Sequence, residues 1–139
     1  MTQEDKELLL KDLCARLPYG VKLQKTYDTS DPVELYLIDV CHHTIKFYTY
    51  KGEGLTMCDV GNIERFVKLR YKPYLFPLSS MTEEQMFDFV TVQAENCKGS
   101  YPTLSECSAI IDWGYKHHFD VNNLIEKGLA LDATGKNIY

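Results

Sequence analysis

Apolar residues near the start of the chain recur with the period of an α-helix. They share one helical face: Leu9, Leu10, Leu13, Cys14 and Leu17. Thr2 and Asp5 occupy the two positions of a capping box, in which the side chains of the first and fourth residues bond each other's backbone N–H. Pro18 and Gly20 end the pattern. The sequence therefore predicts an amphipathic helix between Thr2 and Pro18.

From residue 21 the period changes from that of a helix to that of a strand. Apolar and polar residues alternate in 21–27, and the segments VELYLIDV (33–40), TIKFYTYK (44–51) and LTMCDV (55–60) are rich in β-branched and aromatic residues. Short turn-forming stretches separate them. We expect these segments to form consecutive antiparallel strands.

The following segment, 62–75, fits either a strand or a short helix. Pro73 and Pro77 exclude a long regular element through KPYLFPL (72–78). Two capping boxes come next, Thr82 with Gln85 and Thr103 with Glu106. Each predicts the start of a helix.

The first of these helices should run to about Cys97, and the second should end near the paired histidines. Asp120 is placed to cap a last short helix, and Gly128 to close it. The prediction is an α+β fold: an N-terminal helix, a bent antiparallel sheet or small open β-barrel, and a C-terminal three-helix layer. Residues predicted to pack that layer are Met86, Phe87, Val90, Ile111, Trp113 and Leu124.

Length and composition favour a single domain over 1–139, with helix and sheet in 1–78 and helices in 79–139. The chain has 139 residues, of which 45% are hydrophobic, enough for a core that needs no disulfide or metal. The net charge is −5. Residues 1–72 hold 11 basic and 11 acidic side chains, whereas 73–139 hold 4 and 9, so the acidic excess lies in the second part. Contact with phosphate backbones is therefore expected only from the first part.

Cysteine usage and the N-terminal residues bear on the compartment. The five cysteines include no CxxC pair, which favours reduced thiols over a disulfide framework or a zinc knuckle. The opening MTQEDKELLL has the wrong charge for a signal peptide, and no apolar run approaches the roughly 20 residues that cross a bilayer. We expect a cytoplasmic protein that does not enter a membrane.

The segment WGYKHHFD holds the densest set of chemically useful side chains. Neighbouring side chains on a helix point about 100° apart, so His117 and His118 are poorly placed to bind one metal ion together. Asp120 is better placed to cap the next helix than to complete a catalytic triad. We interpret these residues as a helix corner.

A metal site remains an alternative for the same residues. His118 could join Cys41 and His43 of the sheet region in a Cys/His metal site. A small metal-assisted hydrolase would use His117 or His118 with Asp120 or Cys41. The sequence gives no reason for the two segments to meet. We therefore expect no metal ligands, no catalytic residues and no cofactor.

A basic, aromatic segment gives a second alternative, a nucleic-acid-binding module using residues 65–74. Phosphate contacts from basic side chains and stacking by aromatic rings are the two components of single-strand binding. The residues that would supply them are Arg65, Lys68, Arg70, Lys72, Tyr71 and Tyr74. The same pattern is typical of one exposed strand face.

Four blocks of the sequence resemble a known group of proteins. RLPYGVK (16–22), KPYLFPLSSMTEEQ (72–85), DWGYKHHFD (112–120) and LIEKGLAL (124–131) look like short uncharacterised proteins common in gut Bacteroidales genomes and in their phages or mobile elements. In that group the third block is similar to W-L-N-x-H-H-F-D, and here Gly and Tyr replace Leu and Asn. The resemblance carries no activity.

The sequence holds no GxSxG, P-loop, HExxH or GxGxxG motif. We therefore expect a non-enzymatic accessory protein that binds a protein partner and that a mobile element encodes, with a homodimer compatible with the same pattern. The tyrosine-rich strands, with Tyr36, Tyr48 and Tyr50, are the expected contact surface.

Overall fold

The computed structural model describes residues 1–26, 33–35, 37–39, 45–51, 54–97, 99 and 103–139. The α-helices in this part of the chain are α1 (Gln3–Ala15), α2 (Ile63–Lys68), α3 (Glu83–Asn96) and α4 (Leu104–Lys116). The strands are β1 (Val21–Lys25), β2 (Val33–Leu35), β3 (Leu37–Asp39), β4 (Ile45–Lys51), β5 (Gly54–Gly61), β6 (Tyr71–Leu75) and β7 (Leu131–Asp132). Short 3₁₀ turns lie at Leu17–Tyr19 and Leu78–Ser80.

The strands form two sheets. One has the order β2-β1-β6-β7, in which β1 is antiparallel to both of its neighbours and β6 and β7 are parallel. The other is the antiparallel β3-β4-β5. The α+β class is confirmed. The parallel β7 was not predicted, and it brings the C-terminal part of the chain into a sheet that was expected only in 1–78.

The strand predicted over 33–40 is divided between the two sheets. Its first part, β2, pairs with β1, and its second part, β3, pairs with β4. The uncertain segment 62–75 contains both predicted possibilities in turn. Helix α2 begins after Asn62, whose side chain accepts a hydrogen bond from the Arg65 N–H, and a residue with positive φ, Arg70, leads into β6.

Helix α1 lies over the main core. The predicted capping box is present, since Thr2 and Asp5 bond each other's backbone N–H groups. Leu9 and Leu13 are each only 1% exposed. The core they join is drawn from the sheets, α2 and the C-terminal segment: Val21, Leu23, Ile45, Val60, Phe66, Tyr71, Leu75, Leu124, Leu129 and Ala130.

The predicted packing of the C-terminal layer is wrong for four of its six residues. Trp113 and Leu124 are buried, as expected. The exposed fractions of the others are 47% for Met86, 72% for Phe87, 51% for Val90 and 46% for Ile111. The pattern of apolar residues marks one side of a helix, but the residues that the structure describes leave that side exposed.

The predicted third helix of that layer is also wrong. Residues 121–128 form hydrogen-bonded turns in place of a helix, and Asn123 has a positive φ of 55°. The C-terminal layer thus contains two helices, α3 and α4, followed by turns and β7. Among the described residues, no helix combines the length and the apolar content that crossing a bilayer requires.

Gly114 explains how α4 approaches the turn that follows it. A Cβ atom at this position would overlap the Cγ1 atom of Val121. Glycine therefore allows the close approach of the two segments.

Candidate functional site

The two adjacent histidines lie at the end of α4 and contact different rings. His117 is the C-cap residue and stacks on Trp113, with 4.3 Å between ring centroids. His118 has a positive φ of 60° and stacks on Tyr139 at 3.8 Å. Because the backbone turns between them, the rings diverge, as the sequence predicted for neighbours on a helix.

Burial lowers the pKa of both imidazoles. For His118 the pKa falls to about 4, because burial disfavours the charged ring and because Arg16, His117 and Lys22 add positive charge nearby. The Tyr139 hydroxyl donates to the Tyr74 carbonyl oxygen at 2.7 Å. The stacked pair therefore lies at the edge of the fold, with Tyr139 40% exposed.

Asp120 serves as a cap. It is 5% exposed, and its two carboxylate oxygens accept hydrogen bonds from the N–H groups of Leu124 and Ile125, each at 2.8 Å. The predicted capping role is thus present, although it stabilises a turn and not a helix. Both oxygens of the carboxylate are thus bonded to the backbone of the following turn.

The structure does not assemble the alternative metal site from the residues it describes. In that part of the chain, no three His, Cys, Asp or Glu side chains converge as a metal site requires. Cys41 and His43 lie outside the described residues. The histidines and Asp120 are instead engaged with Trp113, Tyr139 and the backbone of the following turn.

A buried ion pair beside this corner was missed from the sequence. Asp12 and Arg16 are 0% and 1% exposed, and Arg16 Nε donates to Asp12 Oδ2 at 2.7 Å. Arg16 Nη2 also donates to the Phe119 carbonyl oxygen, and Asn122 donates to Asp12 Oδ1. The available signal was the spacing of an acid and a base four residues apart on the apolar side of α1.

The residues of the basic segment 65–74 differ in their exposure to solvent. Arg65, Lys68 and Arg70 are exposed, on α2 and the turn after it. Lys72 is partly buried on β6. The two tyrosines proposed to stack on bases are core residues.

Tyr71 is 8% exposed and Tyr74 is 5% exposed. Tyr71 stacks on Phe66 with 5.5 Å between centroids, and the Tyr74 hydroxyl donates to the Gln24 side chain. Neither ring is therefore accessible to a base. Phosphate contacts by the three exposed cations are the part of the nucleic-acid hypothesis that this structure leaves open.

The most prominent feature of the described surface is one side of α3. Met86, Phe87 and Val90, here called the α3 face, are all exposed, and no residue of the 14-residue helix is buried. The other side of α3 packs on α4, where Phe89 contacts Trp113 at 5.3 Å between ring centroids. Within the described structure, α3 therefore packs against the rest of the protein on its α4 side, and its opposite side is exposed.

A shallow groove of about 500 Å³ runs along this surface. Its lining consists of Met81, Thr82, Glu83, Met86, Phe87 and Val90. A groove with apolar walls and a few polar groups at one end is typical of sites that receive an apolar side chain of a binding partner. Sequence analysis identified these apolar residues but assigned them to the core.

Comparison of the chain with protein-family models, with curated proteins and with solved structures gave no match.

Proposed function

We propose that this chain is a non-enzymatic accessory protein of the cytoplasm that binds another protein through the α3 face. The observation that carries the proposal is the exposure of three large apolar side chains on one side of a helix. Soluble proteins seldom leave such groups together in water unless a partner covers them, because burying them is favourable. The resemblance to mobile-element proteins is part of the same proposal.

The tyrosine-rich strands were the expected contact surface, but the side chains of Tyr36, Tyr48 and Tyr50 lie outside the described residues. The α3 face therefore takes their place in the proposal. Phe87 is its most exposed large residue, at 72%. Aromatic side chains are enriched where protein interfaces gain most of their binding energy.

The test is site-specific photo-cross-linking in cells that produce the protein. Phe87 is replaced by p-benzoyl-phenylalanine, which keeps an aromatic ring at the position. The matched control carries the same group at Leu104, which is 92% exposed on α4. We expect a defined protein adduct from position 87 that is absent or much weaker from position 104.

Several outcomes would contradict the proposal. One is the absence of any adduct from position 87, and another is equal labelling from both positions. An adduct shortened by nuclease would show contact with nucleic acid in place of protein. An adduct of two copies of the chain would show self-association in place of an accessory role toward another protein.

A further inference from the structure

The charged side chains on α3 itself are of one sign. Between residues 78 and 97 the sequence has four acidic residues and neither Lys nor Arg. The acidic residues are Glu83, Glu84, Asp88 and Glu95, and all are exposed. The salt bridges within the described part of the chain involve none of them.

Helix geometry places these carboxylates beside the apolar residues. Glu84, Asp88 and Glu95 are four and seven residues apart, so they form one stripe along the helix. Glu83 lies on the same side as Phe87, four residues before it, and lines the groove. The surface is thus an apolar strip with an acidic edge and an acidic end.

This pattern excludes several kinds of partner. Phosphate backbones and anionic bilayers would be repelled by the four carboxylates. A second copy docked symmetrically through its own α3 face would bring four more acidic residues of α3 against the first four. Like charges facing each other across an interface oppose association.

The spacing of the apolar residues also restricts the shape of the partner. Met86, Phe87 and Val90 lie along one helical turn, and the groove follows them from Met81. Apolar grooves on protein surfaces receive amphipathic helices whose apolar residues recur every three or four positions. A complementary helix would carry Lys or Arg beside those residues.

We infer that the partner segment is a basic amphipathic helix, whose apolar side enters the α3 groove and whose Lys or Arg side chains face Glu84, Asp88 and Glu95. The inference rests on the proposed function, because it names the chemistry of the partner that binds this face. Exposed ion pairs contribute modestly to affinity, so the acidic edge selects among amphipathic helices more than it drives binding.

Two synthetic helical peptides test the charge requirement on the full-length protein. They share the same Leu and Phe residues at i, i+3, i+4 and i+7, and differ only in Lys or Glu at the flanking positions. Binding is measured by fluorescence anisotropy. We expect the Lys peptide to bind about tenfold or more tightly than the Glu peptide, with the difference shrinking as salt rises from about 50 to 300 mM.

Variants of the protein identify the binding surface. Glu84→Gln with Asp88→Asn should remove most of the preference for the Lys peptide. The matched control, Glu4→Gln with Glu126→Gln, makes the same change in net charge at exposed positions elsewhere. Phe87→Ser should weaken binding of the Lys peptide about tenfold or more, since it removes the main apolar anchor.

The outcomes separate this inference from the proposed function. Equal binding of both peptides, or a preference that survives Glu84→Gln with Asp88→Asn, overturns the charge requirement and leaves the α3 face as a contact surface. Binding of neither peptide overturns the basic-helix inference, while the photo-cross-link from position 87 still decides the proposed function. Analytical sedimentation can also show that the protein is a dimer and that Phe87→Ser dissociates it. That result overturns the basic-helix inference, because a second copy of the chain would then occupy the α3 face.

Discussion

Helices α1 and α3 start in the same way and are used differently. Each begins at a threonine capping box and continues for 13 or 14 residues. Helix α1 buries Leu9, Asp12 and Leu13, whereas α3 buries no residue. Both have the apolar spacing of an amphipathic helix, but within the described parts of the chain the apolar side of α1 is covered and that of α3 is exposed.

The difference shows what helical amphipathicity can and cannot predict. A capping box stabilises a helix end through bonds within four residues, so it acts the same way in both helices. Burial of a face depends on what packs against it, and helical periodicity does not say whether that is the same chain or a partner. For α1 the cover includes α2. Its C-cap residue Arg16 also donates a hydrogen bond to the Phe119 carbonyl oxygen.

The largest expected effect is at the buried ion pair of α1. Asp12→Ala leaves the Arg16 guanidinium charged and without its carboxylate in a site that is 1% exposed. We expect the free energy of unfolding to fall by about 3–5 kcal/mol, measured by urea denaturation. The matched control is Asp88→Ala on exposed α3, which should change it by no more than about 0.5 kcal/mol.

A double variant sharpens this prediction. Asp12→Leu with Arg16→Met removes both charges and keeps similar volume, so it should be more stable than Asp12→Ala alone. Two results would contradict this prediction: a loss of unfolding free energy below about 1 kcal/mol in Asp12→Ala, or equal losses in Asp12→Ala and Asp88→Ala. Either would show that α1 depends on its buried residues no more than α3 depends on its exposed ones.

The apolar faces of the two helices give the next largest difference. Leu13→Ala should lower the free energy of unfolding by about 2–5 kcal/mol, because it leaves a cavity in the core. Phe87→Ala should change it by no more than about 0.5 kcal/mol, because that side chain is 72% exposed. If Phe87→Ala were as destabilising as Leu13→Ala, the α3 face would be structural and not a contact surface.

We expect pH to have a smaller effect on the free energy of unfolding, through His118 at the corner beside α1. The unfolded chain protonates His118 near pH 6.5, whereas the folded chain does so only near pH 4. Between pH 6.5 and pH 4 the unfolded state binds more protons than the folded state. The stabilisation that comes from keeping His118 neutral is therefore complete above pH 6.5 and is lost as the pH falls toward 4. Because the ring is only partly buried, we expect a loss of about 1–2 kcal/mol.

The measurement is urea denaturation at several pH values for the wild type and for His118→Asn. Asparagine tolerates the positive φ at this position better than most residues. The slope of stability against pH between 6.5 and 4 should be shallower in the variant. An unchanged slope would mean that His118 is protonated equally easily in the folded and unfolded chains.

Local features of the fold were predictable because few residues determine them. All three capping boxes are present, at Thr2, Thr82 and Thr103. The divergence of the two histidine rings was also predictable, since neighbouring side chains on a helix point about 100° apart. Asp120 was identified as a cap, although its two bonds close a turn and do not start a helix.

The features that were not predicted depend on contacts distant in the chain. The break between β2 and β3 arises because one half pairs with β1 and the other with β4. Strand β7 is only two residues long and gains its place by pairing with β6. Met86, Phe87 and Val90 were assigned to the core because their spacing is the same whether a face is covered by this chain or by a partner.

The most direct test of the contact role of α3 is the comparison of photo-cross-linking from positions 87 and 104 in producing cells. Both positions are exposed, at 72% and 92%, so exposure alone favours labelling from 104. A single protein adduct that forms from 87, and not from 104, is the expected result. Labelling that is absent from 87, or that simply follows exposure, would contradict a partner bound to the α3 face.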